Sequence, residues 1–221
     1  MFARVAPRYD LLNRLLSLGQ DRRWRAKLRR AVAELAPPGA VLDLATGTGD
    51  VALGFKERVV VGGDFCLDML VLARKKAKGD SGGIAWAGVD ALHLPFRGSS
   101  IAAVTVAFGL RNFPDRRRAL GEIHRVLQPG GILAVLEFHP IEKFFPRLFH
   151  GFWHKAVVAP IGGLVSGDLE AYRYLPRSSR QFCSRRQLLE LGEEMGLQGI
   201  SSIAVGFGVA ALTVFRKGRK V

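Results

Sequence analysis

The segment VLDLATGTGD at residues 41–50 constrains the fold of this chain more than any other. A short apolar run leads directly into Gly47, Thr48 and Gly49, and a helix is predicted to begin near Val51. Glycine lets the backbone approach a ligand closely, and amide groups at such a turn point toward it. No Gly-Lys-Ser/Thr follows and the third glycine of the dinucleotide fingerprint is missing, so neither of those two phosphate-binding motifs is present. A tight turn without a ligand is the alternative.

Three carboxylates follow successive predicted strands. Asp43 precedes the loop, where it would repel a pyrophosphate but could receive an ammonium group. Asp64 comes about 20 residues after the loop, at the position where an acidic side chain accepts ribose hydroxyls. Asp90 could accept an adenine amino proton, with Ala91 and Phe65 offering backbone and apolar contact. Because ligands of open parallel sheets bind at the carboxyl ends of the strands, the pattern indicates a zwitterionic nucleoside ligand.

Short apolar runs alternate with stretches of helical periodicity over most of the chain, which predicts an α/β fold with crossover helices. Residues 21–35 form an amphipathic cationic helix, and Ser184 is a suitable N-cap for another at 184–197. Two closing apolar segments, 200–208 and 209–215, are expected to pair as an antiparallel hairpin at the sheet edge. The prediction is a mostly parallel seven-stranded sheet with helices on both faces.

The charge is concentrated in two flanking segments. The chain has a net charge of +14, with nine basic and three acidic residues in 1–36, eight and three in 141–187, and eight of each in 37–115. Such an excess fits a nucleic acid or an anionic membrane surface. No signal-like or spanning apolar segment is recognised, and the two cysteines form no framework, so we expect a cytoplasmic protein that neither crosses a membrane nor is secreted.

Several motifs together resemble the menaquinone and ubiquinone biosynthesis C-methyltransferases. They are VLDLATGTGD, ALHLPF, AFGLRNFPD, RVLQPGGILAVLEF, AYRYLPRSSRQF and the opening YDLLNRLLSLGQDRRW. The chain departs from the usual pattern at Asp21, where that family has histidine, and at His139, where it has serine. The resemblance implies a Rossmann-like class I methyltransferase fold and S-adenosylmethionine as cofactor.

The resemblance and the strand-end positions together assign a cofactor site and four catalytic residues. The cofactor contacts are expected at Asp43, Ala45, Thr46, Gly47, Gly49, Asp64, Phe65, Met69, Asp90, Ala91 and Phe108. Arg111 and Asn112 are expected to orient the quinol oxygens, with Arg111 stabilising the phenolate; a surface loop arginine with a capping asparagine is the alternative. Tyr9 lies in a segment able to cover the site. His139 could accept a proton, although a lone histidine is more often structural.

The organisation expected from this resemblance is one domain. Residues 1–36 would form a helical lid, 37–140 the cofactor-binding core, 141–183 an inserted substrate cap, and 184–221 a helix with the closing strands. The reaction would methylate a ring carbon of a demethylated polyprenyl quinol, chiefly demethylmenaquinol, at the inner membrane face. A methyltransferase acting on another small aromatic or amphipathic molecule, or on nucleic acid, is the alternative. We expect no metal and no nucleic-acid partner; homo-oligomerisation stays open.

Overall fold

The computed structural model describes residues 17, 19–77, 83–140 and 182–218. The helices and strands of this part of the chain alternate along the sequence, as the periodicity predicts. Their bounds are α1 Asp21–Leu35, β1 Val41–Leu44, β2 Val60–Asp64, α2 Leu67–Lys76, β3 Ile84–Gly88, β4 Ile101–Ala107, α3 Arg116–Val126, β5 Leu127–Phe138, α4 Arg185–Glu194, β6 Leu197–Val205 and β7 Ala210–Lys217.

A seven-stranded sheet with the order β3-β2-β1-β4-β5-β7-β6 organises the molecule. The first five strands run parallel, whereas β7 pairs antiparallel with both β5 and β6. The predicted fold class is therefore confirmed, as is the antiparallel pairing of the closing segments. Of these two closing strands only β6 lies at an edge of the sheet, however, because β7 is inserted between it and β5.

The helix predicted to begin near Val51 is wrong as an α-helix. The structure has only the single 3-10 turn Ala52–Gly54 there, after which Phe55 is extended. The glycine loop extends as far as Val51 and β2 begins at Val60. The segment between them is long enough for one helical turn before the chain enters β2. Gly54 packs against the Arg29 side chain of α1. Helix α1 itself covers the part of the sheet where a crossover helix would otherwise lie.

Two apolar clusters fill the two faces of the sheet. On one face α1 contributes Trp24, Leu28 and Val32, all buried against strand residues. On the other face α3 and α4 pack, the latter through Leu188. Helix α2 lies on the α1 side, since its Ala73 packs beside Gly49 together with Trp86, a member of the α1 cluster. Helices therefore cover both faces, as expected.

Helix ends follow the local sequence. Ser184 caps α4 with a complete capping box, in which its hydroxyl accepts from the Gln187 amide and the Gln187 side chain accepts from the Ser184 amide, so the predicted N-cap is confirmed. The Asp115 carboxylate caps α3 by accepting from the Arg118 amide at 2.9 Å. Among the helices described, none is long and apolar enough to cross a bilayer. Residues 1–16 and 141–181, which include Tyr9 and nearly all of the expected cap, lie outside the described residues.

Candidate functional site

The glycine loop bends sharply where β1 ends. Ala45, Gly47 and Gly49 all have positive φ, at 55°, 57° and 83°. Glycine adopts such angles without steric cost, whereas alanine does not, so Ala45 stores local strain. The Thr46 amide donates to the Gly63 carbonyl at 3.0 Å, which ties the loop to β2. The bend turns the loop backbone across the carboxyl ends of β1 and β2.

Asp43 lies beneath this loop and is 1% exposed. Its Oδ2 accepts from the Thr46 hydroxyl at 2.5 Å and its Oδ1 from the Thr105 hydroxyl at 2.6 Å. Burial raises the pKa of this carboxyl to about 6, and the two hydroxyl bonds offset that shift only in part. A cation nearby would favour the ionised form, which suits the ammonium-binding role expected of Asp43.

Asp64 ends β2 and faces the loop from the other side. Its Oδ2 accepts from the Gly47 amide and its Oδ1 from the Cys66 amide, both at 2.8 Å. Burial raises the pKa of this carboxyl, while the amide bonds lower it. A carboxylate oxygen can accept more than one hydrogen bond, so each oxygen keeps a site for one ribose hydroxyl.

A cavity of about 320 Å³ opens beside Asp64 at the carboxyl ends of the strands. Most of the predicted cofactor residues line it, together with Asn112, a predicted catalytic residue that follows β4. The predicted residues in its wall are Ala45, Gly47, Asp64, Phe65, Met69, Asp90, Ala91, Phe108 and Asn112. The volume and the convergence of two carboxylates on an apolar wall are typical of a small-molecule site.

Asp90 follows β3 and lines the same cavity as Asp64. Its Oδ1 accepts from the Leu92 amide at 2.8 Å, and its Oδ2 lies 3.4 Å from His93 Nδ1. The amide bond lowers the pKa of Asp90, so this carboxylate stays ionised near neutrality. An ionised acceptor fits the expected contact with an adenine amino group.

A second, much smaller cavity of about 20 Å³ adjoins the first and shares Ala45 and Gly47 with it. Asp43 and Thr46 line it, as do two charged residues that sequence reasoning missed, Arg25 and Asp50. Arg25 is buried and pairs with both Asp21 and Asp50, and Lys76 pairs with Asp50 from the other side. The spacing of four residues between Asp21 and Arg25 is the sequence signal for their ion pair. The amphipathic pattern of residues 21–35 alone places Arg25 with the other basic residues of the helix surface.

Two glycines allow close packing around the glycine loop, and one of them, Gly109, also lines the cavity. A Cβ on Gly49 would lie 2.6 Å from the Trp86 ring, so Gly49 seats the loop against β3. A Cβ on Gly109 would lie 2.6 Å from the Ala45 Cβ. The segment after β4 and the glycine loop are therefore in direct contact, and Phe108, with a φ of 59°, is bent at the same place.

Arg111 is 8% exposed and is not itself a lining residue of the cavity, although its neighbour Asn112 is. Its Nη1 donates to Glu137 Oε1 at 2.6 Å and to the Phe108 carbonyl at 2.7 Å, and its backbone amide donates to Glu137 Oε2 at 3.1 Å. Its Nε is buried with no hydrogen-bond partner among the described residues. Glu137, which is fully buried, is a further residue that sequence reasoning did not assign to the site.

His139 follows β5 and is 4% exposed. Its Nδ1 lies 2.9 Å from the Cys183 carbonyl, and its ring packs on Phe182 at a centroid distance of 5.3 Å. A carbonyl can only accept, so Nδ1 carries the proton in the neutral ring and Nε2 is the basic nitrogen. Its backbone amide donates to the Val209 carbonyl at 3.1 Å, which holds the residue against β7.

The model of the ubiE/COQ5 methyltransferase family matches residues 1–217 of this chain. The chain belongs to that family. Demethylmenaquinone methyltransferase of Thermus thermophilus is 47% identical to it, over 97% of this chain and 98% of the relative. The ubiquinone/menaquinone biosynthesis C-methyltransferase UbiE of Geobacter sulfurreducens is 40% identical, over 100% of this chain and 88% of the relative. The family expected from the sequence is thereby confirmed.

Solved structures agree with the ubiE/COQ5 assignment at the level of fold. The methyltransferase solved with the Haloferax volcanii Trm112 activator superimposes with a TM-score of 0.69 at 17% identity, covering 99% of this chain and 98% of that one. A SAM-dependent methyltransferase of Thermotoga maritima gives 0.65 at 20% identity, covering 98% and 100%. As a ubiE/COQ5 member the chain is a methyltransferase that uses S-adenosylmethionine, as the sequence predicts.

Proposed function

We propose that this chain transfers the methyl group of S-adenosylmethionine to a ring carbon of a demethylated polyprenyl quinol, with demethylmenaquinol as its substrate. The observation that carries the proposal is the 47% identity to a demethylmenaquinone methyltransferase over nearly the whole of both chains. The cavity at the carboxyl ends of the strands supports it, because its wall contains the carboxylates and the apolar surface that a nucleoside requires.

The residues at the glycine loop fit the cofactor by their chemistry. We assign Asp64 to the ribose hydroxyls. Its two oxygens accept from the Gly47 and Cys66 amides, and each oxygen can accept one further hydrogen bond. Asp90 and Ala91 are assigned to the adenine. The methionine end is assigned to Asp43 and Thr46 at the small cavity. The remaining predicted contacts at Ala45, Gly47, Phe65, Met69 and Phe108 supply the walls, and Gly49, which lines neither cavity, is assigned to shape the loop. When bound, S-adenosylmethionine supplies an electrophilic methyl group on a sulfonium.

Asn112 and Arg111 are assigned to the acceptor. Asn112 lies in the cavity wall, where its side chain can hold a quinol oxygen. Arg111 is held in a buried pair with Glu137, and its Nε is a buried donor without a partner in the described residues, so we assign it to stabilise the phenolate that forms. A guanidinium stays protonated and is therefore a poor base, so the proton goes elsewhere.

His139 is proposed as the proton acceptor, directly or through a water molecule. The Cys183 carbonyl fixes Nδ1 as the protonated nitrogen, which leaves Nε2 to take the quinol proton. Tyr9, from the proposed lid at residues 1–36, is assigned to close the site over the quinol together with the proposed cap at 141–183. Excluding water in this way strengthens the electrostatic contacts inside the site.

One assay tests the substrate. The protein is incubated with labelled S-adenosylmethionine and, in separate reactions, demethylmenaquinol, a demethylated benzoquinol and a water-soluble catechol. We expect label in the menaquinol product, identified by mass spectrometry as one added methyl group. Label in the benzoquinol or catechol, with none in the naphthoquinol, would overturn the proposed substrate.

A second experiment tests Asn112. The Asn112→Ala variant should lose about a hundredfold in kcat, the usual loss when one preorganised polar contact at the reacting oxygen is removed. Its affinity for S-adenosylmethionine, measured by calorimetry, should stay within about twofold of the parent, because we assign the Asn112 side chain to the acceptor and not to the cofactor. An unchanged kcat would remove Asn112 from the catalytic group.

A further inference from the structure

Helices α1 and α2 together present an unbalanced positive surface. They carry nine basic and three acidic residues, whereas α3 and α4 on the opposite face carry six and four. On that opposite face Arg117 pairs with Glu194 and Arg186 with Glu190. On α1 the exposed side chains of Arg22, Arg23 and Lys27 make no ion pair with any described residue. The excess on the α1 side is therefore not neutralised within the described part of the fold.

Arg22 and Arg23 occupy an unfavourable position for the helix itself. They lie in the first turn of α1, where the helix dipole is positive and cations reduce stability. The N-cap residue Gln20 makes no side-chain cap bond, although Ser17 Oγ accepts from the Asp21 amide at 3.2 Å, and the one acidic residue of the turn, Asp21, is buried in its pair with Arg25. Two exposed arginines that oppose the dipole and pair with no acidic side chain in the described residues are best explained by an anion outside the protein.

Apolar side chains accompany the cations on this face. Leu67 and Val71, one turn apart on α2, are 65% and 49% exposed, and Phe65, just before α2, is 81% exposed. Phe65 also lines the mouth of the cofactor cavity. Exposed aliphatic and aromatic groups beside Arg74 and Lys75 are typical of a surface that enters a lipid headgroup region, and a phosphate backbone offers them no apolar partner.

The two helices are joined into one surface at Asp50. Arg25 of α1 pairs with Asp50 at 3.1 Å, and Lys76 of α2 pairs with its other oxygen. The clasp lies beside the glycine loop and joins the second turn of α1 to the last residue of α2, whereas the start of α2 borders the carboxyl end of β2 because it follows Asp64 directly. A surface docked here would bring the cavity mouth to the membrane.

We infer that the outer face of α1 and α2, through Arg22, Arg23, Lys27, Leu67 and Val71, docks this protein on an anionic lipid bilayer. The inference rests on the proposed function, because a polyprenyl quinol resides in the bilayer and must reach the cavity from it. The surface potential of anionic lipid attracts each basic residue near it, while the exposed aliphatic side chains add apolar contact.

Vesicle sedimentation with a matched charge control tests this surface. The Arg22→Gln/Arg23→Gln variant is compared with Arg117→Gln/Arg186→Gln, which removes the same charge from the opposite face. With vesicles of phosphatidylglycerol and phosphatidylcholine at low salt, the α1 variant should bind about thirtyfold more weakly than the parent and the control about equally to it. Equal losses in both variants, or stronger parental binding to a single-stranded RNA than to the vesicles, would overturn the inference.

Two further measurements separate this inference from the proposed function. Calorimetry with S-adenosylmethionine should give unchanged affinity in both double variants, which shows that they are folded. Methylation of demethylmenaquinol dispersed in detergent should also be unchanged, whereas methylation in anionic vesicles should fall in the α1 variant alone. If the parent binds vesicles through α1 yet methylates no quinol, only the proposed function fails.

Discussion

The Glu137 carboxylate receives both the guanidinium and the backbone amide of Arg111, at 2.6 and 3.1 Å, and the two side chains are 0% and 5% exposed. The pair joins the end of β5 to the turn after β4, and it fixes the position of the residue next to Asn112. A charge so deeply buried depends on its partner, because water cannot replace the lost contact.

Truncating Glu137 should therefore destabilise the fold strongly. We expect Glu137→Ala to lower the free energy of unfolding by about 3 to 5 kcal/mol, measured by urea denaturation, because the Arg111 charge stays buried without its carboxylate. The control is Glu190→Ala, which breaks the Arg186 pair at 3.4 Å on the exposed side of α4 and should cost less than about 1 kcal/mol. Similar losses in the two variants would contradict a structural role for the buried pair.

Asp43 should make stability depend on pH. Its pKa is about 6 in the folded chain against the ordinary carboxyl value of 3.8, so the folded state binds more protons between these values. The Asp43 contribution to the free energy of unfolding is fully present below about pH 4 and is lost as the pH rises to about 6, by about 3 kcal/mol in total. Urea titrations of the parent and Asp43→Asn across this range check it. A parent-minus-variant difference that grows with pH would have the wrong sign.

Asp64 should dominate cofactor affinity. Asp64→Ala removes the acceptor for two ribose hydroxyls and for the Gly47 and Cys66 amides, so we expect affinity for S-adenosylmethionine to fall by about a hundredfold or more in calorimetry. Asp68→Ala, which changes an exposed carboxylate in the first turn of α2, is the matched control and should bind as the parent does. Unchanged binding by Asp64→Ala would refute the ribose assignment.

Gly109 should tolerate no side chain. In Gly109→Ala the new Cβ meets the Ala45 Cβ at 2.6 Å, so the glycine loop must shift, and we expect a loss of about 1 to 3 kcal/mol together with weaker cofactor binding. Gly121→Ala is the control, because nothing lies within 4 Å of that position on α3 and alanine favours a helix. Thermal denaturation should show a lower Tm for the first variant and an equal or higher one for the second.

The parts of the site that the sequence predicts are those built from local pattern. The glycine loop, Asp64 and Asp90 each follow a strand directly, so the sheet's parallel order suffices to bring them together. Arg25 and Asp50 meet only because α1 packs across the face of the sheet, which periodicity cannot show. In the sequence Glu137 is a single polar residue in an apolar strand. Its ion pair with Arg111 depends on the parallel pairing of β4 with β5.

The fold could be predicted from the sequence to a similar extent, and the predictions about it that were wrong have similar causes. Alternating periods of apolar residues were enough for the α/β class, yet nothing local distinguishes an edge strand from one inserted beside it, as β7 is beside β5. The helix expected near Val51 is reduced to one turn because Arg29 fills the space against Gly54. That contact joins two segments with no shared sequence pattern.

The glycine loop is held from both sides by carboxylates, Asp64 on the Gly47 amide and Asp43 on the Thr46 hydroxyl. These bonds are made within the protein and do not depend on a ligand. The loop therefore keeps its shape after each product leaves, and no free energy of the next binding event is spent on ordering it. We therefore expect the cofactor of each successive turnover to meet the same preformed loop surface.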